Sequence, residues 1–237
     1  MPWRGVCDLL EWLPLVSTGE TVTDSYQVKA VQGAVPVQGV ERGGPLAQDK
    51  FDFRFRGGRL CLDFTATLGG RYRGSVERLR SADDLSRWFR LALSLERDVP
   101  ATAQSVADAY ELREAVYRLV HPKTRERPSI VDIDVVNAWA AKPGLVSELG
   151  SDARSVTLRS DSTAEAGLAT VARDAVDLLS GPWLGRVSEC AFPDCSLMFV
   201  DTSRPGQRQW CDMKSCGNRF KVRQHRSKAR HEAARRA

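Results

Sequence analysis

The 237-residue chain is long enough for one large domain or two unequal ones, and its 42% hydrophobic and 27% charged residues match an ordinary globular protein. No apolar run reaches the roughly 18–20 residues that cross a bilayer. The apolar start, interrupted by Asp8 and Glu11, lacks a cleavage pattern, so neither a membrane span nor a signal peptide is expected.

The net charge of +5 is unevenly placed. Residues 190–237 hold eleven Lys/Arg against four Asp/Glu, a surplus of +7, while the preceding 189 residues hold 24 against 26, or −2. A local surplus of this kind points to a polyanionic partner for the C-terminal stretch alone. Of six cysteines, four fall into paired, metal-type spacing and Cys7 and Cys61 stand alone in apolar surroundings. A chain of this length needs no disulfide staples, so a reducing, cytoplasmic setting is expected and Cys61 reads as a small buried hydrophobe.

Residues 1–48 carry no sustained period and are expected to form a poorly ordered extension. Order is expected from Phe51. Phe51-Asp-Phe-Arg-Phe-Arg alternates as a half-buried strand does, Gly57-Gly58 is a two-residue turn signal, and Arg59-Leu-Cys-Leu-Asp-Phe-Thr returns as a second strand, which predicts a hairpin.

Helices follow. Ser81 with Asp83 and Asp84 opens one, with Leu85, Trp88, Phe89 and Leu91/Ala92 on its apolar stripe. Thr102 to Val120 forms the next, ended by His121-Pro122, and Ser129 to Ala141 the third, stopped by Pro143-Gly144. Ser155-Val-Thr-Leu-Arg is β-prone. Ser162-Thr-Ala-Glu165 reads as a capping box opening a helix to Leu179, and Gly181-Pro182 closes that helix and begins a linker. Residues 49–182 thus predict an α+β domain, mostly helical with a small sheet. It offers no catalytic set: His121 sits at a helix end, Asp83-Asp84 are first-turn acids, and Gly69-Gly70-Arg71 lacks the context of a phosphate cradle. An enzyme is not expected.

The C-terminal stretch is more specific. Cys190-x4-Cys195 and Cys211-x4-Cys216, fifteen residues apart, supply four thiolates for one tetrahedral zinc ion with no open position, a structural site. Leu197-Met-Phe-Val200 reads as a strand, Asp201 to Gln207 as a turn and Arg208-Gln-Trp-Cys211 as a return strand. Cys216 then falls in the first turn of a helix. On a wheel, Met213, Cys216 and Phe220 share the face turned to the metal. Arg219, Arg223, Arg226 and Arg230 form one basic stripe, and Lys214, Lys221 and Lys228 a second. Beyond Phe220 the helix has nothing apolar to bury, so its cations suit phosphate contacts.

These residues resemble a known family. Cys190-x4-Cys195-x3-Phe199-x-Asp201-x-Ser203-Arg204, followed by Trp210-Cys211-x-Met213-x2-Cys216-Gly217-Asn218-Arg219-x-Lys221, is similar to the CGNR zinc finger. That finger is joined in its family to an N-terminal ABATE domain, in proteins described as stress-induced transcription regulators. Gly58-Arg-Leu-Cys-Leu-Asp-Phe64 and Leu79-x3-Asp83-Asp84-Leu85-x2-Trp88 resemble the ABATE part. The chain departs from the family pattern at Ala66, where the family has Asn before Thr67, and at Gln209 in its Arg-Arg-Trp.

The resemblance implies a treble-clef-like module of knuckle, hairpin and helix over residues 187–237. It also implies an N-terminal domain that senses a small-molecule effector or forms a homodimer. It gives the zinc to Cys190, Cys195, Cys211 and Cys216. For the signature it leaves two roles open: a structural one, with Gly217 packing closely, Asn218 bonding the knuckle backbone and Arg219 pairing with Asp201, and a DNA-contacting one for Asn218 and Arg219. The expected function is zinc-dependent DNA binding through Arg219, Lys221, Arg223, Arg226, Lys228 and Arg230. RNA binding and a zinc-stapled protein-docking module are the alternatives.

Overall fold

Three hydroxyl side chains set helix starts in the helical region. Ser81, Thr102 and Thr163 accept the backbone N–H groups of Asp84, Ser105 and Ala166, satisfying donors that a helix start leaves orphaned. The helices they open are α2 (Ala82–Ala92), α3 (Ala103–Val120) and α5 (Ala164–Ser180), with α4 (Ile130–Ala141) between the last two. This is a computed structural model, and it describes residues 50–236 except 96, 155, 160 and 161. The expected extension 1–48, with Cys7, lies outside the described residues.

The predicted helices are present within a residue or two of their expected ends. The capping box is not formed at Ser162: the cap is Thr163, one residue later, and Glu165 pairs instead with Lys142 at 2.7 Å. The β-prone stretch near residue 157 is β4 (Val156–Leu158). It pairs antiparallel with β3 (Ser147–Leu149), which lacks a readable pattern because all three of its residues are exposed.

The hairpin predicted over residues 51–65 does not exist. Residues 51–59 are irregular and Leu60–Thr65 is helix α1, with all six side chains buried. A short apolar run reads the same as a buried strand or a buried helix, and here carboxylates decide. Asp63 Oδ1 accepts the N–H groups of Arg56 and Gly57 at 2.8 and 2.7 Å, folding the preceding segment back onto the helix. Asp174 of α5 accepts Cys61 N–H at 2.8 Å and Arg59 Nε at 2.9 Å. Backbone donors that a strand would spend on a ladder are thus satisfied by side chains. Gly57 serves this close approach: a Cβ there would stand 2.6 Å from Leu62 Cβ. The small sheet expected nearby is instead β1 (Leu68–Gly69) with β2 (Val76–Glu77), pairing Leu68 with Glu77 and Gly69 with Val76.

Helix α5 is the axis of the core, packed against α1, α2, α3 and α4. Trp88 is fully buried, in edge contact with Phe64 and Phe89 at 5.1 and 5.3 Å, and Trp139 and Cys61 are buried as expected. The segment read as a linker is a 3₁₀ turn, Pro182–Arg186, held by Arg125 Nη1 donating to Leu184 O at 2.7 Å. It leads into β5 (Val187–Glu189), paired antiparallel with β6 (Met198–Val200). Val187, Met198 and Val200 join the same apolar cluster as α1–α5, so the cysteine-bearing region shares the helical core.

Two predictions follow from this packing. Gly→Ala inside a helix ordinarily stabilises by about 1 kcal/mol. At Gly167, however, the new Cβ would lie 2.6 Å from the buried Phe89 ring. Overpacking costs about 1–3 kcal/mol, so Gly167→Ala is expected to lower the denaturation midpoint. Burial raises the Asp63 carboxyl from 3.8 to about 7, against the two N–H bonds that favour its charged form. The folded state therefore keeps a proton that the unfolded chain releases. The stability from this group is present below pH 3.8 and is lost as pH rises to about 7. Denaturation of Asp63→Asn and the unmodified chain at pH 5.5 and pH 7.5 should show the difference shifting in favour of the variant at the higher pH.

Candidate metal centre and basic helix

The connection between β5 and β6 carries the first cysteine pair. Cys190 N–H donates to Leu197 O at 3.0 Å and Cys195 N–H to Phe192 O at 2.8 Å, closing a tight turn through Pro193 and Asp194. The return strand expected at residues 208–211 is absent, and the partner of β6 lies upstream, in β5. Side chains again occupy the backbone groups. Arg208 N–H goes to Asp201 Oδ2 at 2.8 Å, and the Arg208 guanidinium binds the carbonyls of Trp210 and Cys211. Ala191 N–H to Gln209 O at 2.8 Å and Cys211 N–H to Cys190 Sγ at 3.4 Å bring the second pair to the first.

Cys216 sits in a π turn, Met213–Gly217, that opens the final helix α6 (Asn218–Arg236). All four sulfurs lie within 4.8 Å of one another, with Cys195–Cys211 at 3.9 Å and Cys211–Cys216 at 3.6 Å. A tetrahedron with Zn–S of 2.3 Å has edges of about 3.8 Å, so the cluster fits one zinc ion. Four such sulfurs cannot all be anions without a cation among them. Phe192, Leu197, Phe199 and Ala66 form an apolar shell around them.

A model of the CGNR zinc finger matches residues 186–229. A model of ABATE, described as "Putative stress-induced transcription regulator", matches residues 58–182, more than half of the chain. The chain belongs to the ABATE family. No curated protein matches it. The four cysteines of this ABATE-family chain would hold the one zinc ion that a CGNR finger implies, and the module has the knuckle and helix expected, with its hairpin formed by β5 and β6.

Two positions of the Gly-Asn-Arg signature make the contacts of the structural role, and Asn218 is also exposed on the arginine groove. A Cβ on Gly217 would lie 2.5 Å from Met213 Sδ and 3.3 Å from Trp210 Cδ1, and Asn218 Nδ2 donates to Lys214 O inside the second knuckle at 3.2 Å. Arg219 does not pair with Asp201. Its guanidinium lies 4.5 Å over the Phe192 ring, while Asp201 Oδ1 accepts Ser203 N–H.

The π turn alters the predicted wheel. Gly217 N–H donates to Asp212 O, five residues back, so Met213 turns outward and is 51% exposed, away from the metal face. Lys214 joins the arginine side. Arg219, Arg223, Arg226 and Arg230 line one open groove with Lys214, while Lys221 and Lys228 are exposed outside it. Arg223 lies 3.9 Å from Asp194 of the first knuckle. Phe220 packs on Trp210 at 4.6 Å, the last apolar anchor of the helix.

Arg54 and Arg78 stand beside the cluster and have no counterpart in the sequence reading. Burial pushes Arg78 down to about 10, and burial likewise lowers Arg54. The signal for Arg54 lay in the alternating Phe-Arg-Phe-Arg stretch, where strand periodicity masked it.

Because structural zinc supplies folding free energy outright and the hairpin that carries this site packs into the main core, its removal should be felt globally. Chelation, or Cys211→Ser, is expected to lower the melting temperature of the whole chain in one transition and to release one zinc per chain. Calorimetry and a colorimetric zinc assay check both.

Proposed function

We propose that the protein is a cytoplasmic, zinc-dependent DNA-binding transcription regulator. In this reading α6 contacts duplex DNA, and the region 49–182 senses a small-molecule effector or forms a homodimer. The observation that carries the reading is α6 itself. It is anchored at its zinc end and exposed at every described position from Lys221 on, with its arginines aligned along one groove. A helix with no apolar face needs another partner for that surface, and a cationic one suits phosphates.

A single zinc module covers only roughly 600–1,000 Å² of DNA surface, which favours a dimer or a second reader. The reading assigns no catalytic step, since His121 is engaged as a helix cap, with its ring bonded to Glu189 and to Lys123 N–H. No described helix is long and apolar enough to cross a membrane.

Fluorescence anisotropy of the zinc-loaded chain on duplex DNA, at several salt concentrations, tests the proposal. If all six predicted cations engage phosphates, the log–log salt slope is about −5. Arg223→Glu/Arg226→Glu/Arg230→Glu should abolish binding while leaving zinc content unchanged. No binding at low salt would sink the reading, and preference for structured RNA in competition would redirect it to RNA.

A further inference from the structure

We propose that Arg54 and Arg78, supplied by the chain on either side of α1, are charge partners of the zinc–thiolate centre, so that the helical region completes the metal site of the finger. Four thiolates around one Zn²⁺ carry a net charge of −2. A dianion held among buried groups is costly unless cations stand close by. Cys195, Cys211 and Cys216 line a cavity of about 130 Å³, and Arg54 and Arg78 line the same cavity, joined by Arg219 from α6.

Arg78 is the decisive residue. It is only 7% exposed, and its guanidinium donates to two neutral carbonyls, Asp52 O at 2.8 Å and Ala66 O at 3.1 Å. No carboxylate among the described residues pairs with it. The contrast is Arg113, equally buried, whose guanidinium meets both oxygens of Glu77 at 2.8 Å. Glu77 is adjacent to Arg78 in sequence, yet it gives its side chain to Arg113 and leaves Arg78 facing the sulfurs' cavity. Gly69 makes the seat: a Cβ there would come within 3.0 Å of Arg78 Cζ. A buried cation without a paired carboxylate is a liability. Asp194 also lines the cavity but lies toward Arg73 at 3.6 Å and Arg223 at 3.9 Å, which leaves the metal centre as the anion for Arg78. Arg56, also at this cavity, is held by Asp212 at 3.0 Å and by Ser215, which ties the same segment to the second knuckle.

The test measures zinc affinity of the full chain by competition with a chromogenic chelator. Loss of an outer-shell partner typically weakens metal binding 10–100-fold. Arg78→Met and Arg54→Gln are each expected to weaken zinc by at least about tenfold, while Arg78→Lys restores most of the loss because it keeps the charge. Arg118→Met, which strips the buried Asp132 of its partner away from this cavity, should lower the melting temperature with zinc affinity unchanged. If Arg78→Met melts earlier but binds zinc as the unmodified chain does, or if Arg78→Lys loses as much as Arg78→Met, Arg78 is only a clamp on the backbone and the proposal falls. If Arg78→Met does not fold, Arg54→Gln at its half-buried, irregular position decides: unchanged zinc affinity overturns the proposal.

Discussion

The position of α6 depends on four sulfurs. Even helix-favouring sequences of about this length are marginal alone in water, and α6 places like charges at i and i+4, Arg219 with Arg223 and Arg226 with Arg230, each pair slightly destabilising. Past Phe220 no apolar side is available to offset this. Tertiary fixation therefore comes from the first turns: Cys216 in the metal cluster, Gly217 closed against Trp210, and Phe220 stacked on the same indole. Four thiolates would fill the coordination of a zinc ion held there and leave no open position, so the cluster would give a marginal basic helix a defined start and direction.

A second theme is the use of aspartates where a sheet would otherwise be needed. Asp63 and Asp174 take the N–H groups around α1, and Asp201 takes those of Ser203 and Arg208. Each holds an irregular segment in place with two or more bonds from one side chain. The sheets can therefore be only two strands wide, because the backbone groups near the junction are satisfied without ladders.

This explains which parts of the molecule were legible in the sequence. Helices α2, α3 and α5 announce themselves through local rules, a hydroxyl cap followed by an apolar stripe, and α4 through the Pro143-Gly144 stop after it; all were readable to within a residue or two. The zinc ligands were readable because coordination chemistry restricts both residue type and spacing. What failed was nonlocal. Leu60–Thr65 has the composition of a strand, and only a carboxylate 113 residues away in sequence, Asp174 bonded to Cys61 N–H, fixes its start as a helix. Residues 208–211 looked like a strand until the arginine at 208 turned back on its own carbonyls. The wheel of α6 slipped by one π turn, enough to expose Met213 and move Lys214 to the arginine side. Arg78 had no local signature at all, since its significance lies in what Glu77 does with Arg113.

The mounting of the finger restricts how the two regions can communicate. The hairpin β5–β6 is tied to the helical core on two sides. On one, Val200 N–H donates to Gly57 O, the residue whose own N–H is held by Asp63 of α1, and Ala66 at the end of α1 packs into the shell around the sulfurs. On the other, His121 at the end of α3 bonds Glu189 of β5 at 3.2 Å, with Tyr72 and Tyr117 against the same ring. The Gly181-Pro182 step between the regions is pinned by Arg125, so it offers no free hinge. A finger on a flexible linker could search for its site independently of the helical core. This one cannot, because the start of α6 is fixed relative to α1 and α3. An effector bound to the helical region would therefore change the presentation of α6 only by displacing one of those two ties, and α1 is the nearer lever, since it touches α5, β6 and the sulfur shell at once. In a dimer built through the helical region, the same rigidity would set the spacing between the two α6 helices by the dimer interface alone.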